Sequence, residues 1–173
     1  MTGFAAALQL LIALAFLSIP MVRSRYGAQA QVAAEAELDR QGVPSTVLAE
    51  NKIRFDAGGH ETLVPASVAL IMVAVAVLNL PGSSWGELLS WIVQPLILCG
   101  NLLILHSQVN AVKSVTAHFV KTGDATLRRI DVKALLVAAE KAFPAWVLPG
   151  LQNVRHTVVM AGSIAVLILM GLN

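Results

Sequence analysis

LLSWIVQPLILCGNLLILH, residues 88–106, decides the fold. The stretch contains no Asp, Glu, Lys or Arg, and it is close to the ~20 apolar residues that cross a bilayer as helix. Three more stretches share this property: Phe4–Val22, Leu63–Leu80 and Thr157–Leu172. All 12 basic and 10 acidic residues lie between or just beyond the four. The sequence therefore predicts an all-α integral membrane protein with four transmembrane helices.

Composition points the same way. The chain has 173 residues, 57% hydrophobic and only 13% charged, with a mean hydropathy of +0.74. A soluble domain needs a larger charged surface. Four spans take up nearly half of the chain, so residues 1–173 read as a single membrane domain. A formal charge of +2 gives no reason to expect a nucleic-acid partner. The one cysteine, Cys99, lies in the third stretch, which excludes an internal disulfide. Phe4–Val22 reads as a retained span rather than a cleaved signal: no basic residue precedes it, and Arg23 and Arg25 stand between it and the small-residue site Ala28-Gln29-Ala30.

Lys and Arg near span ends set orientation. Segment 23–62 holds Arg23, Arg25, Arg40, Lys52 and Arg54; segment 107–156 holds Lys113, Lys121, Arg128, Arg129, Lys133, Lys141 and Arg155. The short turn Pro81–Gly86 and both chain ends hold none. Both long segments are thus expected in the cytoplasm and both termini outside, and Ala/Val-rich, Lys-poor usage suggests a bacterial cytoplasmic membrane.

The long segments are expected to extend the bundle as helix. Arg25–Arg40 is rich in Ala and Gln, and Gly42 and Pro44 stop it. Lys52-Ile53-Arg54-Phe55 alternates polar and apolar before the turn residues Asp56–Gly59, which predicts a short β-hairpin. Ser107–Lys121 continues span three as far as Gly123. Asp131–Phe143 is amphipathic, with Arg129, Lys133 and Glu140 on one stripe and Ala134, Leu135, Ala138 and Ala142 opposite. Pro65 suits the first turn of span two.

Candidate chemistry is sparse. Four histidines are present, of which His60 and His118 read as loop-borne. His106 ends span three and His156 opens span four at similar depth, the one arrangement that suits a haem or metal. Asn79, Gln94, Asn101 and Ser163 are the polar residues noted within the spans. Gln94 and Asn101, seven apart, share one helix face beside Gly100 and are the candidates for helix–helix or partner contact. No Asp, Glu, Lys or Arg lies inside the four stretches, unlike pumps and proton relays. No P-loop, paired-carboxylate signature or nucleophile motif is present, so no catalytic residue and no cofactor are assigned.

The expected function is a non-catalytic accessory subunit of a larger membrane complex, such as a multisubunit lipid transporter or a respiratory assembly. Its partners would be other membrane-protein subunits and membrane lipids. The alternatives are a small haem-binding redox anchor on His106 and His156, or a lipid-binding protein with a head group near Gln94 and Asn101.

Overall fold

The computed structural model describes residues 2–58 and 60–172, apart from the side chains at 60 and 61. They form seven α-helices: α1 Thr2–Arg40, α2 Thr46–Glu50, α3 His60–Asn79, α4 Ser84–Val109, α5 Ala111–Thr122, α6 Val132–Lys141 and α7 Gln152–Gly171. A 3-10 turn at Leu127–Arg129 and a wide turn at Trp146–Leu151 complete the regular structure. Four helices are long and apolar enough to cross a membrane: α1, α3, α4, and α7 with its lead-in from Trp146.

These four make a ring. α1 packs between α3 and α7, and α4 closes the ring against α7 and α3. Successive helices run antiparallel. One end holds both described chain ends and the α3–α4 turn, where Gly82 approaches Thr2. We call this the turn end and the opposite one the loop end. Gly82 has φ 69, a left-handed conformation that glycine adopts without steric cost. Ser83 then caps α4 by accepting from the Trp85 amide at 3.2 Å.

The ring is polar inside and apolar outside. Leu14, Leu70 and Leu103 are 64%, 71% and 70% exposed, whereas Gln9, Asn79 and Gln94 are 0% exposed. Water favours the opposite arrangement. Hydrocarbon favours this one, because an amide facing lipid loses every hydrogen-bond partner, at several kcal/mol per group. Apolar packing fills the remaining interior, with Ile12, Phe16, Met72, Ile97 and Val159 in one cluster and Ala5, Val166 and Met170 in another nearer the turn end.

A second core stands beyond the loop end. The latter half of α1 supplies Ala30, Ala34 and Leu38. Val47 and Leu48 come from α2, Phe119 from α5, and Leu135 and Ala139 from α6. At 1.5 Å per residue α1 is about 58 Å long, nearly twice the ~30 Å hydrocarbon thickness. It continues through Pro20 and serves both cores.

Several expectations need correction. Residues 52–58 form no hairpin, and no strand occurs among the described residues. This segment instead lies along α1, where the Phe55 amide donates to Gln31 Oε1 at 3.0 Å and Arg23 donates to the Arg54 carbonyl at 2.8 Å. Ile53 and Phe55 still turn inward, onto the second core. Arg54 holds Asp56 at 2.8 Å, and those hydrogen bonds draw the Asp56 carboxyl below its usual range. α3 begins at His60, which puts Pro65 in its second turn rather than its first. The helix after span three is interrupted at Asn110 before α5 runs to Gly123, whose φ of 81 ends it. α6 starts as expected, with Asp131 accepting from the Ala134 amide at 3.0 Å.

Candidate functional site

One face of α4 carries Ser90, Gln94, Asn101 and Gln108. Their spacings of four, seven and seven keep them within about 40° of each other at 100° per residue. The face turns into the ring and meets polar residues of every other helix. The result is a seam of amides and hydroxyls about 27 Å long along α4.

At the turn end, Gln9, Asn79 and Ser90 form a closed triangle. Gln9 Nε2 donates to Ser90 Oγ at 2.9 Å. Asn79 Nδ2 donates to Gln9 Oε1 and to Ser90 Oγ, both at 2.8 Å. The Ser90 hydroxyl donates its own proton to the Gly86 carbonyl at 2.7 Å. A hydroxyl has one proton and two lone pairs, so Ser90 is saturated. The triangle ties α1, α3 and α4 together. It forms only because Gly86 has no side chain: a Cβ there would lie 2.7 Å from Asn79 Oδ1 and from the Leu78 backbone.

At the loop end, His156 is 6% exposed and bonded on both ring nitrogens. Nδ1 lies 2.8 Å from Asn101 Oδ1, and Nε2 lies 2.9 Å from Gln108 Oε1. Gln108 Oε1 also accepts from Gln152 Nε2. With the Asn101 amide turned to present Nδ2, a neutral ring donates from Nε2 and accepts at Nδ1. This cluster ties α4 to α7.

Between the two clusters sit Gln94 and Ser163. Asn101 faces His156 across antiparallel helices, so seven residues back on α4 and seven forward on α7 bring Gln94 level with Ser163. Both are fully buried, and neither side chain has a hydrogen-bond partner. The Pro95 ring also leaves the Trp91 carbonyl without its helical donor. The seam carries no carboxylate or cation; His156 is its one titratable residue. Its chemistry is therefore that of neutral donors and acceptors.

Of the five residues singled out from the sequence, Gln94, Asn101 and His156 lie in this seam, and Asn101 is committed to His156 of the same chain. Gly100 turns away from them, and a Cβ there would meet nothing within 4 Å. His106 and His156 have different surroundings: His106 is exposed and lies against Asn110. Among the described residues, no group of three or more His, Cys, Asp or Glu could hold a metal ion. The His60 side chain lies outside the described residues, and His118 is exposed on α5. Arg128, Arg129 and Lys133 are exposed near the start of α6.

Sequence reasoning passed over Gln9, Ser90, Gln108 and Gln152. The signal was present on α4. Extending the Gln94–Asn101 spacing by seven reaches Gln108, not His106, and one turn back from Gln94 reaches Ser90. Comparison with known protein families, curated proteins and solved structures finds no match.

Proposed function

We propose that this chain is a non-catalytic subunit of a larger membrane complex, docking on its host through the outer face of α4. The observation that carries this reading is Gly100. It leaves a notch between Leu96 and Leu103, which are 66% and 70% exposed. Beyond the adjoining backbone of α4 itself, a Cβ there would meet nothing within 4 Å among the described residues. Small residues on a lipid-facing helix let another helix approach closely. The amide seam is turned inward, so the docking face is apolar and relies on shape. A bacterial complex that moves lipids, or a respiratory assembly, is the kind of host this reading places it in.

The positive-inside pattern supports cytoplasmic long segments and external termini. A cysteine at Ser84 should therefore react with an impermeant reagent on intact cells, and one at Ser45 or Thr126 should not. Labelling of Ser45 alone would reverse the orientation.

Docking is tested by Gly100→Leu in a tagged chain purified from native membranes in gentle detergent. We expect recovery of the partner to fall at least about fivefold, a modest loss for a blocked helix contact. The chain's own helicity and melting should persist, because the added side chain meets open space. Recovery of this chain alone, as a monomer, would refute the reading; full partner recovery from the variant would refute the α4 face.

A further inference from the structure

We propose that the groove between α1 and α7 holds one anionic phospholipid, with its phosphate on Arg155 and an acyl chain along Leu11, Leu14 and Val158.

The groove runs up the outside of the ring. Its upper part has a volume of about 210 Å³ and is lined by Leu11, Leu14, Val154, Val158 and Arg155 among others. A wider part of about 500 Å³ continues past Ser18 and Leu151 to Met21, Arg25, Tyr26 and Trp146. From Leu11 to Tyr26 it follows α1 for about 22 Å, from the bundle flank to the loop-end rim. Tyr26 and Trp146 meet edge to face at the rim, ring centres 6.4 Å apart, where interfacial aromatics belong.

Arg155 is what selects the occupant. It begins the second turn of α7, half-buried, and also lines a third cavity with Gln108 and Gln152 on the inner side. Among the described residues no carboxylate pairs with it, and none accepts a hydrogen bond from it. A half-buried guanidinium without an anion is costly. It presents a planar fork that matches phosphate. An apolar channel that holds an unpaired cation beneath its aromatic rim is complementary to an anionic phospholipid. A zwitterionic lipid would bring its own cation to the same place. A protein helix lying in the groove would need a carboxylate within its span, which is rare and costly. Basic pockets between helices on the cytoplasmic side are a known setting for anionic head groups. This site stands apart from the α4 face and does not depend on a host complex.

The test uses the full-length chain, delipidated in mild detergent, with native mass spectrometry of bound lipid. Phosphatidylglycerol and phosphatidylcholine of matched acyl chains are titrated separately, with glycerol phosphate as a competitor lacking chains. We expect phosphatidylglycerol to bind about tenfold more tightly than phosphatidylcholine. Arg155→Gln should abolish that preference, and glycerol phosphate should not displace the lipid. Leu14→Trp places a large ring in the groove from an exposed position, so it should weaken phosphatidylglycerol binding in a chain that folds even if Arg155→Gln does not. Equal binding of the two lipids by the wild-type chain overturns the proposal. So does a preference that survives Arg155→Gln, or binding that survives Leu14→Trp. Displacement by glycerol phosphate would mean a free-anion site instead and also overturns it.

Discussion

Gly86→Val is expected to destabilise the bundle by about 3 kcal/mol, because the new side chain has no space and the atoms it meets cannot move aside. Its Cβ would lie 2.7 Å from the carbonyl carbon and oxygen of Leu78 and from Asn79 Oδ1. The first two are backbone atoms of α3 just before its turn into α4. Relief requires α3 and α4 to separate at the turn end, which also pulls apart the Gln9–Asn79–Ser90 triangle. Each of those hydrogen bonds contributes only about 0.6 kcal/mol in a membrane setting. The steric term is therefore expected to dominate, and loss of the triangle to add to it. In a chain of this size, about 3 kcal/mol lowers the melting midpoint by roughly 6–12 °C, measurable in detergent by circular dichroism. Gly100→Val on the same helix is the control, since it meets nothing within 4 Å. Similar melting of both variants would refute the close α3–α4 approach.

Gly27→Val is expected to act on the second core. Its Cβ would lie 2.7 Å from the Phe55 carbonyl oxygen and 3.0 Å from Asp56 Cα. The segment at 52–58 would be forced off α1. The Gln31 and Arg23 hydrogen bonds to its backbone would break with it, and Phe55 would lose its packing. We expect a local loss of about 2–3 kcal/mol. Opening by that amount raises the population of the cleavable form by a factor of ten or more. Limited trypsin digestion should therefore cut after Lys52 and Arg54 at least about tenfold faster than in the wild-type chain. An unchanged cutting rate would show that the segment does not rest on Gly27.

The sequence was most legible where one physical effect dominates. A run without charge, at helical length, has few fates, so the four candidate spans could be read directly. The helix stop at Gly123 was legible because it acts through its own backbone. The segment at 52–55 misled because alternation reports only that Ile53 and Phe55 point to one side. It does not say whether that side is a neighbouring strand or a helix such as α1. The seam was half legible. Gln94 and Asn101 declared a common face, but the inward direction of that face depends on how α4 docks. Gln9 gave no periodic signal, being the lone amide of its span. The groove at Arg155 could not be read from the sequence, because a cation near a span end looks like an ordinary orientation signal. What distinguishes it is its lack of a partner, which only the packed structure reveals.

The shared helix α1 also sets an order of events during synthesis. Ala30, Ala34 and Leu38 leave the ribosome early, whereas Leu135 and Ala139, which pack in the same core, are made roughly 100 residues later. At about 5–20 residues per second, that interval is about 5–20 s. Throughout it, the apolar stripe of the nascent α1 has only α2 and the segment at 52–58 to cover it. The second core therefore cannot close until α6 is made, shortly before α7 completes the ring, and the emerging chain depends on whatever shields that stripe until then.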